Sequence, residues 1–316
     1  MPGRPAPGLH RFAVVTAAAT YVLLFVGGLV TSTGSGLAVP DWPLSFGQVF
    51  PRMVGGVLFE HGHRLVAGAV GCLTLVLAVW TVVSERRASV RVLGLLALFA
   101  VVLQGVLGGV TVLYKLPLVV SVAHACLAQT FFCLTVALAV LTSERWVGAR
   151  PRADAGSAVP VLSAITTGLV FAQLVLGALV RHMGAGLAIP DFPLAFGRLV
   201  PPLVTPFITV HYAHRVGALV VTLAVAGTLG TVVRDHATDA WVRRPALLAG
   251  LLVVLQVLLG GLTIWTQRAV VPTTLHLVVG AGLLATCLVL TLRAARSLGV
   301  LAEAPFEAEV RRQVFA

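Results

Sequence analysis

Eight stretches of this chain are long and apolar enough to cross a lipid bilayer, and that leaves few folds open. They fall at roughly 11–30, 63–83, 92–113, 118–141, 160–180, 210–233, 246–266 and 271–292. A spanning helix takes about 20 mostly apolar residues. Inside hydrocarbon a segment must satisfy its own backbone hydrogen bonds, so such runs are helical. Composition agrees: 58% of the residues are hydrophobic and 10% are charged, against roughly 25% charged in a soluble domain. No soluble domain is expected. The first stretch is too long for a cleaved signal peptide and lacks an evident small-residue cleavage site, so it is expected to remain as a span.

The net charge of +11 would suit nucleic acid, but its placement argues against that partner. With the N-terminus in the cytoplasm, fifteen of the 22 Lys and Arg lie on the cytoplasmic side: Arg4, Arg11, Arg86, Arg87, Arg91, Arg145, Arg150, Arg152, Arg234, Arg243, Arg244, Arg293, Arg296, Arg311 and Arg312. Arg52, Arg64, Lys115, Arg181, Arg198, Arg215 and Arg268 lie outside. This is the positive-inside bias, so the excess charge orients the chain. It predicts a multi-pass plasma-membrane protein with both termini cytoplasmic. Cys72, Cys126, Cys133 and Cys287 all fall within spans. None is in an outward loop where a disulfide could close, so small buried hydrophobes are expected.

The chain is also written twice. GSGLAVPDWPLSFG (34–47) returns as GAGLAIPDFPLAFG (184–197), identical at ten of fourteen positions. LQGVLGGVT (103–111) returns as LQVLLGGLT (255–263), and His63-Arg64 returns as His214-Arg215. Four spans per half means that both halves share one orientation, related by an axis near the membrane normal. The expected fold class is an all-α membrane protein of two duplicated four-helix bundles. Its halves are 1–145 and 160–316, joined by a cytoplasmic linker at 146–159.

Four histidines carry the chemistry. His63 and His124 lie at or near the outer ends of the second and fourth spans, and His214 and His276 repeat them in the sixth and eighth. An ionisable group in a span is costly and points to function. A single one is as readily an interhelical hydrogen-bonding residue; two per half, at one depth and repeated, is a sharper signal. Zinc would want more ligands, whereas haem needs two facing imidazoles. Gly105, Gly108, Gly109, Gly260 and Gly261 would let a macrocycle, or equally a neighbouring helix, approach the backbone. Arg64 and Arg215 could hold haem propionates, or snorkel to the interface. Most of His10, His61, His182, His211 and His236 are expected at the surface.

The duplication supplies an internal control. Aligned on the His-Arg pair, Glu60 corresponds to His211, and Glu60 shares a helix face with His63 if the helix continues outward. A carboxylate there suits proton handling; a solvated loop acid is the plainer alternative. One half thus reads as reactive and the other as a holder. The Gly/Pro-rich loops read as lids carrying Trp42 and Phe192, with Asp41 and Asp191 capping turns.

With EHGHR at 60–64, HYAHR at 211–215, VAH ending at His124, TTLH ending at His276, and the PDWPL and QGVLGG segments, the chain resembles the haem A synthase family over nearly its whole length. The resemblance implies a membrane oxidoreductase that converts haem O to haem A, oxidising a ring methyl to a formyl group by successive hydroxylations. Glu60 would be the catalytic acid and His63 and His124 the substrate haem ligands. His214 and His276 would hold the haem B cofactor. It implies haem O as substrate, haem O synthase and the cytochrome oxidase assembly machinery as partners, and surrounding lipid; a homo-oligomer is left open. Many bacterial members carry a cysteine pair in the first outward loop, and residues 31–59 contain none here. An electron-transfer cytochrome with two b haems, a transporter with parallel repeats, or a haem-free assembly factor would be the rival readings.

Overall fold

The computed structural model describes residues 7–149 and 157–297. Arg4, Arg150, Arg152, Arg311 and Arg312, and half of the linker expected at 146–159, lie outside the described residues. Nine α-helices are described: α1 (Pro7–Ser32), α2 (Gly56–Ser84), α3 (Ala88–Leu113), α4 (Leu118–Leu141), the short α5 (Glu144–Gly148), α6 (Val159–His182), α7 (Pro206–Asp235), α8 (Ala240–Trp265) and α9 (Val270–Ser297). No strand occurs among the described residues. All but α5 are long and apolar enough to cross a membrane, so the chain is a multi-pass membrane protein.

Several helices begin earlier than hydropathy suggests, α2 by the most. α2 starts at Gly56 and α7 at Pro206, so Glu60 and His211 are helical residues two turns or less from the helix start. At α2 the apolar count stops short because Glu60, His61 and His63 interrupt the run, and Glu60 and His61 are then buried beneath the outward loop. At α7 the start is also local chemistry. Thr205 accepts the Ile208 amide at 3.3 Å, and Pro206 takes the first helical position, where no amide is needed.

α1 packs on α2 and α4, and α3 packs on α2 and α4; α6 and α8 each pack on α7 and α9 in the same way. The two sets meet where α9 lies against α1 and α4, and α4 against α6. Lipid is as apolar as leucine, so close packing and hydrogen bonds hold such helices together. Tyr21 stacks on Phe132 with ring centres 5.4 Å apart and donates to Val278 O at 3.0 Å, tying α1 and α4 to α9. Within the second set, Thr166 and Thr228 share a hydrogen bond of 2.8 Å. Such bonds average about 0.6 kcal/mol in a membrane, so packing must supply the rest.

The four cysteines are free and all lie in helices. Cys287 is buried in the core of the second set, but Cys72 is exposed on α2. Cys72 is therefore not the buried hydrophobe expected: a thiol on the outer face of a span can meet lipid without an energetic penalty.

Candidate functional site

The repeated loops are the same object at atomic detail. In each, an aspartate accepts two amides: Asp41 from Phe46 and Gly47, and Asp191 from Phe196 and Gly197, at 2.7 and 2.8 Å in both. These amides, Gly47 and Gly197 foremost, hold both carboxyls below the usual aspartate range. The caps expected from sequence are therefore present. Phe46 and Phe196 take positive φ of 53° and 56°, and a cis peptide precedes Pro43 and Pro193.

The repeated glycines explain how the loops and rings fit. A Cβ on Gly109 would lie 2.6 Å from the Trp42 ring, and one on Gly261 would lie 3.0 Å from the Phe192 ring. Each loop thus seats its aromatic on bare helix backbone. The same device serves all four histidines. Cβ atoms added at Gly27, Gly108, Gly177 and Gly260 would meet the Cε1 atoms of His63, His124, His214 and His276 at 3.1 to 3.3 Å. Of the glycines singled out from sequence, Gly105 meets nothing within 4 Å.

All four imidazoles are half-buried. The centres of the His214 and His276 rings are 6.3 Å apart, with the planes at 79°. Two imidazole nitrogens on opposite sides of one metal ion, each about 2 Å from it, place their ring centres roughly 6 Å apart, and the separation here is compatible with that arrangement. Gln173 Nε2 lies 3.0 Å from His214 Nδ1 and donates to His214 O at 2.7 Å. His276 Nδ1 lies 3.2 Å from Gln256 O, and Gln256 Nε2 donates to His276 O at 2.8 Å. His276 Nδ1–H can donate to the Gln256 carbonyl, which leaves Nε2 for a ligand as outer partners orient a metal-binding histidine, whereas His214 Nδ1 faces an amide donor.

The first half is looser. Gln104 donates to His124 O at 3.0 Å and its Nε2 lies 3.3 Å from His124 Nε2. Where His214 has Gln173, His63 has Leu23, and the buried Nδ1 atoms of His63 and His124 have no partner. Ser121 and Thr273, each three residues before a histidine on α4 or α9, also bury unpartnered hydroxyls. Buried polar atoms are rarely left this way, and their clustering around the histidines fits a polar-edged ligand between the helices. Among the described residues, no three His, Cys, Asp or Glu side chains converge. The donors come in twos, the number a planar macrocycle with two axial positions requires.

The halves diverge around the arginines. Glu60 is 3% exposed, which removes the solvated-loop alternative. Its Oε2 accepts the Val39 amide at 2.8 Å and its Oε1 accepts Arg64 Nη2 at 2.7 Å. In the second half His211 Nδ1 accepts the Ile189 amide at 3.3 Å, and Arg215 Nε lies 3.4 Å from His211 Nε2. Both guanidinium groups clasp their loops: Arg64 bonds Asp41 O and Leu44 O at 2.7 Å, and Arg215 bonds Leu194 O at 2.8 Å and Ile189 O at 3.0 Å. They are loop staples in this structure, whatever else they bind.

His61 and His211, expected at the surface, are buried at 5% and 4% exposure. The reason is the outward extension of α2 and α7 beneath the loops. His61 Nδ1 lies 2.7 Å from the buried Ser45 Oγ; Tyr212 and Ala195 stand at these stations in the second half. His10, His182 and His236 are half-buried. Sequence reasoning passed over Gln104 and Gln256, although both stand in the repeated LQ segment, and Gln173, which the first half lacks.

A family described as cytochrome oxidase assembly protein matches residues 53–288, a range that contains Glu60 and all four histidines. The chain is 35% identical over 266 residues to the haem A synthase of Symbiobacterium thermophilum, covering 80% of this chain and 86% of that protein. It is 32% identical over 275 residues to that of Shouchella clausii (83% and 88%). With that of Alkalihalophilus pseudofirmus the identity is 30% over 276 residues (85% and 91%).

Proposed function

The chain belongs to the cytochrome oxidase assembly protein family, and from that membership we propose that it oxidises haem O to haem A by converting a ring methyl to a formyl group. It is an enzyme of haem A biosynthesis. Haem O is taken up by the first half between His63 and His124, and haem B is held in the second between His214 and His276. The observation that carries this reading is the 6.3 Å ring pair of the second half, repeated in type by the histidines of the first. His214 and His276 would hold haem B, which would supply a redox centre whose potential its protein ligands and their partners tune.

What the protein adds is placement and proton handling. Gln173 and Gln256 orient the holding pair. Glu60, held by Val39 N–H and Arg64 three residues before His63, is the group that can accept a proton as the substrate is oxidised. The loops cover both sites from outside. The arginine bias puts the termini in the cytoplasm and both sites near the outer face of the plasma membrane. An electron-transfer cytochrome would use the same four histidines, but it has no use for a buried acid in one half only.

The test is Glu60→Gln, co-expressed with a source of haem O and read by haem extraction and chromatography. Haem B should stay bound while haem A falls by about 10²–10⁴-fold. Wild-type haem A from this variant would refute the catalytic role and return weight to the cytochrome.

A further inference from the structure

Two cations of the second half have no place in the mechanism above. Arg181, the penultimate residue of α6, stands at the station of Thr31 on α1. It is half-buried where the halves meet. Its Nη2 donates to Gly28 O at 3.0 Å and to Ser32 Oγ at 2.9 Å. Thr274 donates to the same Ser32 oxygen at 2.9 Å, which ties the guanidinium to the turn of α9 that carries His276, and Arg181 lies within electrostatic range of that histidine. None of these partners is an acid. Arg181 Nε–H is buried and unpartnered, as is the hydroxyl of Thr273 on the His276 face of α9.

Arg268 stands at the station of Leu116. Both sit in the same left-handed turn, with φ of 65° and 60°, and bond back to Thr263 O and Thr111 O at 2.8 and 2.7 Å. Leu116 rests over Gly36, whereas Arg268 lays its stem over Gly186 and lies within electrostatic range of Arg181. Lys115 in the first half stands one residue earlier, where the second has Gln267. The outer acids are committed elsewhere: Glu60 to Arg64, and Asp41 and Asp191 to loop amides. Two cations brought together at a low-dielectric edge repel unless an anion joins them.

We propose that Arg181 and Arg268 form a seat for the carboxylates of the ligand held by His214 and His276. The second half then anchors its haem by charge as well as by imidazole, while the first half has neutral Thr31 and Leu116 at these stations. This rests on the reading of the second half as the haem B site. It moves the carboxylate contact from Arg64 and Arg215, which staple loops, to two guanidinium groups that have no acid partner among the described residues, one of them with an unpartnered Nε–H. The carboxylate of haem and the phosphate of an anionic lipid would meet the same forked donors, so the test must separate them.

Full-length protein produced under haem limitation, in phosphatidylcholine nanodiscs, is titrated with iron protoporphyrin IX and with its uncharged dimethyl ester. Bis-imidazole absorbance reports binding. The diacid should bind about tenfold or more tightly than the ester, the worth of a charge-assisted hydrogen bond. Arg181→Gln, and Arg268→Gln at an exposed residue, should each shrink that ratio while leaving ester binding unchanged. An unchanged ratio in both variants overturns the seat, and so does equal loss for diacid and ester, which makes Arg181 a packing residue. If phosphatidylglycerol added to the wild type abolishes the preference, the seat is a lipid site instead. If neither compound gives the absorbance in wild type, the haem B reading itself fails and the seat falls with it.

Discussion

The two halves share a backbone and differ in what surrounds their histidines. In the second, Gln173 and Gln256 hold both Nδ1 atoms and the rings stand 6.3 Å apart. In the first, Leu23 leaves His63 without such a partner, while Glu60, His61 and Ser45 gather beneath the loop. On the proposed reading, one half is organised in advance to keep a ligand. The other gives up that order for a buried acid. If the proposed roles hold, the two copies divide holding from reacting with a few substitutions, because both keep the same loop staples and glycine seats.

The largest effect expected from breaking this comparison is at the holding pair. His276→Leu should remove nearly all bound haem B, whereas His63→Leu should leave it in place. Haem content measured by the pyridine haemochrome spectrum decides this: His276→Leu with wild-type haem would dissolve the distinction. A smaller effect is expected from Gln173→Leu, which gives His214 the surroundings of His63. Loss of an outer partner of a metal ligand typically costs about 10–100-fold in affinity, so haem B should dissociate faster with its absorption maxima little changed. Unaltered dissociation would mean that the glutamine does not organise the site.

The smallest effect concerns what the halves share. Asp41 and Asp191 are held below the usual carboxylate range by loop amides. A carboxyl depressed in the fold contributes stability above its unfolded value of about 3.9 and loses it as pH falls through the lower folded value. Protease resistance of both loops should therefore be flat from neutrality to about pH 5 and decline together below about pH 4. Decline of one loop alone would show that the twin caps are not equivalent.

Much of this was legible in the sequence because it rests on local composition and repetition. The spans, the two copies, the four histidines and the oddity of Glu60 need only hydropathy and an alignment of the chain with itself. The glycines of QGVLGG signalled close approach without saying to what: Gly108 receives an imidazole and Gly109 a loop tryptophan. His61 was misplaced because the apolar run ends at its polar turn, and His211 because it stands at the very end of its run; only the folded loops show that both are covered. Ser45, Gln173 and Arg181 are ordinary residues in a linear reading, and their partners lie 16 to 153 residues away.

The sequence by itself therefore determined that the chain spans a membrane with eight helices and repeats itself with one acid out of place, because burial in lipid and duplication both leave marks along the chain. Only the tertiary structure decided which polar atoms meet. It set Glu60 under the Val39 amide, paired His214 with His276, and left Arg181 without an acid, because hydrogen bonds and ion pairs depend on distances across helices that no linear spacing encodes.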